Sequence, residues 1–229
     1  MAEGVMRGSA DERPCFADRA EAGRLLAGKL AHLALEAPAV YALPRGGVPV
    51  AAEIAERLGA PLDLLLVRKI GVPGQPELAA GAVVDGEPPD VVLNEDIVAA
   101  AGLTQEEIAE LTRLQLREIE RRRARYLGAR PSVAAAGRDA ILVDDGVATG
   151  ASMEAAVAAM RRRAPRKLVV AVPVASREGA RRLLRLADEL VCLATPEPFL
   201  AIGAFYRDFH QLEDDEVTRV MAKFAFPPW

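Results

Sequence analysis

Residues 141–152 read ILVDDGVATGAS, and this stretch decides the fold. An unbroken apolar strand leads in, and two adjacent carboxylates, Asp144 and Asp145, stand at its end. A loop of small residues follows, and an Ala-rich helix starts at once. Apolar strands without polar alternation belong to parallel sheets buried on both faces, and open α/β sheets bind ligands at the carboxyl ends of their strands. The loop Gly146, Val147, Ala148, Thr149, Gly150, Ala151 and Ser152 presents successive backbone N–H groups at a helix N-terminus, which makes a natural phosphate cradle. Thr149 and Ser152 add hydroxyl donors, while Gly146 and Gly150 allow close backbone approach. A phosphate placed on the acid pair would be repelled. A polyol beside that phosphate would not, because each carboxylate accepts hydroxyl hydrogen bonds. Phosphate plus vicinal hydroxyls describes a ribose 5-phosphate.

Working outward, the same strand–helix rhythm recurs. Residues 16–35 have helical spacing, and residues 39–43 (AVYAL) form a short apolar run. Residues 46–58 read as a helix with Val50, Ile54 and Leu58 at four-residue steps, stopped by Gly59. Residues 62–70 (LDLLLVRKI) read as a second buried strand. After Gly137 come strands over 140–143, 168–174 and 189–193, alternating with helices over 152–163 and Arg177–Leu186. The spacing predicts an α/β fold, an open and mainly parallel sheet with helices on both faces.

Three segments interrupt that rhythm. Residues 71–89 hold four prolines and four glycines, with a strand expected over 78–84 and a hairpin turn at Asp85–Gly86; they read as a mobile flap rather than core. Residues 104–127 form a long helix in which Thr104 and Glu107 match a capping box and Glu118 with Arg122 forms an i,i+4 pair. Its arginine run, 121–123 with Arg125, reads as a solvated basic end more readily than as an anion site. From Thr195 onward the chain forms a small C-terminal hood, residues 195–229, in which Phe199, Phe205, Tyr206 and Phe209 cluster although aromatics are 4% of the chain. Residues 1–15 read as a disordered lead-in and 16–229 as one domain.

Composition narrows the functional classes. With 229 residues, 51% of them hydrophobic, the chain can bury one substantial core. A net charge of −4 argues against a general nucleic-acid binder. Cys15 and Cys192 are far apart and His32 and His210 are the two histidines, so neither a disulfide framework nor a His/Cys metal centre is expected, which fits a reducing cytoplasm. The longest apolar run, 168–175, suits a strand and not a membrane span, and no G-x-x-x-x-G-K-[ST] occurs. Four of the 29 basic residues are lysines, so arginine abundance is general and not diagnostic of an anion site.

On the residues quoted, 141–152 resembles the 5-phosphoribosyl diphosphate signature of type I phosphoribosyltransferases. Two more segments match in order. Residues 43–50 (LPRGGVPV), with Pro44, Arg45, Gly46 and Gly47, look like the family's diphosphate loop, which implies a non-proline cis peptide at Pro44–Arg45 or one bond away. Residues 67–84 (VRKIGVPGQPELAAGAVV) sit where the family carries its flexible catalytic loop, with Arg68 and Lys69 as the cations for the diphosphate. The resemblance covers about 16–193 and extends to bacterial phosphoribosyltransferase-domain proteins with a similar R-K…P…E-L-A-x-G-A-V stretch.

The resemblance implies transfer of the phosphoribosyl group from phosphoribosyl diphosphate to a nucleobase-like nitrogen heterocycle with release of diphosphate. Catalysis then rests on positioning, charge stabilisation and water exclusion. Asp144 and Asp145 are implied to take the ribose hydroxyls and 147–152 the 5-phosphate. Mg²⁺ is implied as cofactor, carried chiefly by the ligand, with Asp144 and Asp145 as the carboxylates that could touch it. One departure stands out: the hypoxanthine/guanine branch places an Asp just before the loop's Thr-Gly, where this chain has Ala148. Acceptor recognition therefore falls to the hood, with Phe199, Tyr206 and Phe209 as stacking rings and Arg207, Asp208 or His210 as edge readers, unless these aromatics simply fill a satellite core. The alternative is a regulatory protein that binds a phosphoribosyl compound or nucleotide without turnover. The long helix offers surface for a homodimer, and neither nucleic acid nor membrane is expected as a partner.

Overall fold

Five of the apolar runs become parallel strands of one sheet. The computed structural model describes residues 15–86 and 88–225. Most of the expected lead-in, residues 1–14, and the last four hood residues, 226–229, lie outside the described residues. The chain runs α1 (Arg19–Leu30), β1 (Ala39–Ala42), α2 (Gly47–Leu58), β2 (Leu62–Leu64), β3 (Val67–Val72), β4 (Gln75–Val84), β5 (Asp90–Leu93), α3 (Glu95–Ala101) and α4 (Gln105–Leu127). It continues through β6 (Asp139–Val143), α5 (Ala151–Arg162), β7 (Lys167–Val174), α6 (Arg177–Leu186), β8 (Glu189–Ala194), a 3-10 turn (Ile202–Phe205) and α7 (Asp214–Ala222).

The main sheet has the order β2-β1-β6-β7-β8, with every neighbour parallel. Both of its faces are buried, which explains why its strands read as continuous apolar runs. Val40, Ala42, Ile141 and Val143 face a core shared with α1, α2, α4 and α7. Their strand neighbours Ala39, Tyr41, Ala140 and Leu142 face a second core shared with α5 and α6. The expected open parallel sheet with helices on both faces is thus the observed architecture.

From β1 the chain passes through α2 to β2 at one edge, and from β6 through α5 to β7 in the other direction. Travel across the sheet therefore reverses between β1 and β6. Such a switch point opens a crevice at the carboxyl ends of the two strands, where open α/β sheets hold their ligands.

Two expectations need correction. Residues 62–70 are not one strand: the chain leaves the main sheet after Leu64 and enters a separate antiparallel sheet, β3-β4-β5, at Val67. Leu65 and Leu66 are buried between the two, so the apolar run hides the break. Carboxylates hold the bend: Asp63 accepts from the Leu64 amide at 2.8 Å and Asp85 from the Leu66 amide at 3.0 Å. The second correction concerns residues 71–89, expected as a flap outside the core. They belong largely to the small sheet, and Val72, Ala80 and Val83 enter the main core. Among the described residues the exposed positions are the hairpin tip, at Pro73, Gly74, Gln75 and Leu78, and the β4–β5 link at Pro88 and Pro89. Asp85 is buried and ion-paired to Arg123 at 2.7 Å, so it anchors the β4–β5 connection to α4.

The long helix forms as its capping box requires, with the Glu107 amide donating to Thr104 Oγ1 and the Thr104 amide to Glu107. Its basic residues are engaged with carboxylates. Arg121 and Arg122 pair with Glu118, whose carboxyl falls to about 2 chiefly through the Arg121 hydrogen bond, and Arg125 pairs with Asp214 and Asp215 of α7.

Candidate functional site

The two loops at the switch point pack backbone against backbone. The Leu43 amide donates to the Val143 carbonyl at 2.9 Å, and the Pro44–Arg45 peptide is cis, as its motif implied. A Cβ on Gly46 would sit 2.1 Å from Asp145 Oδ2, and one on Gly47 would sit 2.5 Å from the Val143 carbonyl oxygen. The Gly-Gly pair is there because residues 43–47 lie directly on the end of β6. On the far side, Gly146 meets Ile202 of the 3-10 turn, where a Cβ would lie 2.6 Å from Ile202 Cγ2.

Both helices that start here lack a side-chain cap: α2 behind Gly46 and α5 behind Gly150, which has φ 91°. The other five α-helices are capped by Asp18, Asn94, Thr104, Ser176 or the Glu213–Glu216 box. At α5 the first amides, of Ala151, Ser152 and Met153, have no partner among the described residues, and the helix dipole favours an anion there. At α2 the Gly47 and Val48 amides are taken by the Leu43 and Arg45 carbonyls and Pro49 has none, so the Arg45 and Gly46 amides of the loop are the free donors. Val147 is fixed by its amide on the Val174 carbonyl and its carbonyl on the Ser176 amide. Ala148 and Thr149 stand exposed between Val147 and Gly150. The segment 146–152 therefore has the form of an anion cradle, beside the start of α2.

The acid pair is not symmetrical. Asp145 is 8% exposed, and its carboxylate receives Arg19 Nε at 2.8 Å. Arg19 is itself buried, donates Nη1 to the His210 carbonyl at 3.0 Å, and lies 3.9 Å from the centre of the Phe209 ring. The Tyr206 hydroxyl donates to the Asp145 backbone carbonyl at 2.6 Å. Asp145 is thus tied by α1 and by the hood. Asp144 is partly exposed, and its carboxylate accepts only the neighbouring Asp145 amide, at 2.9 Å, among the described residues. Burial and then the Asp145 charge hold the Asp144 carboxyl well above the usual carboxylate range. Burial pushes Asp145 up as well, but Arg19 opposes it through hydrogen bond and charge. Of the two, Asp145 is tied to a cation, and Asp144 has no cation partner among the described residues.

The other residues singled out in the sequence fare differently. Arg45 points to Asp214 of α7 at 3.7 Å, which links the loop 43–47 to the hood. Arg68 donates to Gln115 of α4 at 3.2 Å, and Lys69 is exposed on β3; among the described residues neither forms a bond to the acid pair. The stacking rings expected to face an acceptor are filled by one another. Tyr206 is 6% exposed and lies between Phe16 at 5.3 Å and Phe209 at 5.0 Å, and Phe199 packs on Phe205 at 5.4 Å. With Val174 and Ala22 they form a satellite core under the hood. His210 bridges Asp208 and Glu216, at 2.9 and 3.1 Å, and these hydrogen bonds raise its pKa.

Sequence reading missed Arg19. It lies 126 residues from Asp145, in a helix whose Ala/Leu spacing drew attention to the other face, and no motif pairs the two. Asp214, which joins Arg45, Arg125 and Tyr126, was missed for the same reason.

A family model described as a phosphoribosyl transferase domain matches residues 17–209. A Mycobacterium tuberculosis H37Rv protein, provisionally named a phosphoribosyl transferase, is 49% identical over 203 residues, which are 89% of this chain and 45% of that protein. Its counterpart in strain CDC 1551 matches to the same extent. The chain thus spans less than half the length of these curated relatives. Among solved structures, TT1426 from Thermus thermophilus is 48% identical with a TM-score of 0.80, covering 92% of this chain and 99% of that one.

Proposed function

The chain belongs to the phosphoribosyl transferase domain family, and on that premise we propose that it moves the 5-phosphoribosyl group from phosphoribosyl diphosphate to a nitrogen heterocycle, releasing diphosphate. The observation that carries this reading is the uncapped start of α5 behind Gly150, with its first amides free among the described residues, beside the Asp144 carboxylate and the closely packed loop 43–47. The donor has two anionic groups joined by a diol, and the crevice offers an anion cradle at 148–152, the Asp144 carboxylate, and the free amides of Arg45 and Gly46.

In this assignment the amides of 148–152 and the hydroxyls of Thr149 and Ser152 hold the 5-phosphate, with Val147 fixed beside them. Asp144 accepts from the ribose hydroxyls, and the amides of Arg45 and Gly46 face the diphosphate. Asp145 is a positioning residue, fixed by Arg19, that keeps Asp144 and the Gly46 backbone in register. Mg²⁺, when bound, supplies charge neutralisation for the departing diphosphate. The Asp144 carboxylate is a hard oxygen ligand suited to it. Among the described residues there is no cluster of three or more His, Cys, Asp or Glu that could hold a metal. Arg45, by leaving Asp214, and Arg68 or Lys69, by swinging from β3, are the cations within the same edge of the fold for the leaving group. Closure of the exposed tip around Gly74 would exclude water from the oxocarbenium-like transition state.

The acceptor is a planar nitrogen heterocycle recognised without the carboxylate that Ala148 replaces. The rings of Tyr206 and Phe209 support the hood from inside, so the base would meet the exposed rim and not those ring faces. A second reading, a binder without turnover, is favoured by one observation: Arg68 is engaged with Gln115. One assay separates the two. The protein is supplied with phosphoribosyl diphosphate, MgCl₂ and a panel of purine and pyrimidine bases, and nucleotide products are sought by mass spectrometry. A nucleotide product with stoichiometric diphosphate supports the transferase. Donor binding without turnover on any base supports the binder, and absence of both overturns the site.

A further inference from the structure

A cavity of about 420 Å³ opens at the edge of the main sheet opposite the crevice. Its walls come from the link between α2 and β2, the link between α4 and β6, and the residues after α7. Ala60, Pro61 and Phe224 give it apolar sides, and Arg130, Arg138 and Lys223 give it three cations with no carboxylate among the lining residues. In a chain where arginines are mostly matched to acids, Arg138 and Lys223 enter no ion pair among the described residues. Arg130 is held in place by donating Nη2 to the Leu62 carbonyl, while its Nη1 is buried with no partner among the described residues.

We propose that this cavity is a second ligand site, separate from the donor crevice, for a flat small molecule with an apolar body and one anionic group. Its size falls in the range of small-molecule pockets, and apolar walls with a few convergent charges are the usual make-up of such sites. The cations Arg130, Arg138 and Lys223 recognise the carboxylate, sulfonate or phosphate, and Pro61 and Phe224 cover the flat body. Arg138 precedes β6 and Asp144 follows it, so the strand separates the two sites by roughly 15–20 Å at about 3.3 Å per residue. The cavity touches the far ends of α2, β6 and α7, whose near ends carry Gly47, Asp144 and Asp214. This inference does not depend on the transferase reading.

The probe is 8-anilinonaphthalene-1-sulfonate, a flat apolar body with one anionic group, followed by fluorescence titration of the full chain. The wild-type protein should bind one probe per chain. Arg138→Ala with Lys223→Ala should weaken that binding by at least about tenfold, because two charge-assisted contacts are lost. Ala134→Trp, which narrows the mouth and leaves all three cations, should weaken it as well. Asp144→Asn, at the opposite edge, should leave it unchanged. Probe binding that stays within twofold in both cavity variants, or that falls with Asp144→Asn, overturns the proposal. Several weak sites per wild-type chain would overturn it without recourse to any variant.

Discussion

The donor crevice and the hood meet at two consecutive residues and follow opposite rules. At the crevice, helix starts stand uncapped and Asp144 has no cation partner among the described residues. In the hood, rings fill one another's faces, His210 is bridged by two carboxylates, and the Tyr206 hydroxyl and the His210 carbonyl are both bonded. Polar groups left without partners cost stability, so a fold keeps them where a ligand will supply the partner. The boundary runs between Asp144 and Asp145. Although adjacent and chemically identical, one stands open in the crevice and the other is tied to α1 and, through Arg19, to the hood. The hood and α1 together restrain the crevice: Ile202 lies against Gly146, Asp214 on Arg45, Tyr206 on the Asp145 carbonyl, and Arg19 of α1 on the Asp145 carboxylate.

The largest expected effect comes from breaking the hood side. Arg19→Ala leaves the Asp145 carboxylate buried without its cation and should cost about 3 kcal/mol of stability in urea unfolding. Arg19→Lys should recover only part of that loss, because an ammonium cannot reproduce both the Asp145 and the His210 contacts. A loss no larger than that of an exposed pair would place Asp145 outside the hood's hold. Next is Gly47→Ala, whose new methyl would meet the Val143 carbonyl. A cost of about 2 kcal/mol is expected together with loss of donor binding, since the loop must lift off β6. Tyr206→Phe removes one hydrogen bond and keeps the ring packing, so about 1 kcal/mol is expected, with affinity for the acceptor base unchanged if the ring serves the satellite core.

The smallest effect is the most diagnostic in sign. Asp144 has a raised pKa in the folded chain, so the folded state holds a proton that the unfolded state has released. Stability should therefore fall as pH climbs from about 4, the ordinary carboxylate range, through the raised value. Ribose binding should rise across the same window, because the ionised carboxylate is the better acceptor of hydroxyl hydrogen bonds. Opposite slopes for stability and affinity, both flattened in Asp144→Asn, would tie the two to one group. Ribose without phosphate is the ligand for this titration, as its own charge does not change over the window.

The sheet and the crevice were legible in the sequence because local chemistry writes them. Parallel strands buried on both faces leave continuous apolar runs, Gly46 and Gly47 mark a close approach that a Cβ would block, and Gly150 marks a turn with positive φ. The capping box of Thr104 and Glu107 and the helix stop at Gly59 were likewise read from residues a few positions apart. What escaped was the partnership of distant residues. Nothing near Arg19 announces Asp145, and the run 62–70 conceals a change of sheet because both halves are equally buried. The aromatic cluster was visible, but a ring that stacks on a ligand and one that fills a satellite core have the same sequence signature. The same holds for Arg68, whose partner Gln115 comes from a helix 47 residues away.

The division between Asp144 and Asp145 is tested most directly by comparing Asp144→Asn with Asp145→Asn in paired thermal unfolding and calorimetric titration with phosphoribosyl diphosphate and MgCl₂. Asp144→Asn should raise the unfolding midpoint, since a desolvated carboxylate repelled by Asp145 becomes neutral, and should weaken donor binding by about a hundredfold. Asp145→Asn should lower the midpoint, since Arg19 is left buried with a neutral partner, and should weaken donor binding less. A destabilised Asp144→Asn, or equal loss of donor affinity in the two variants, would contradict the division.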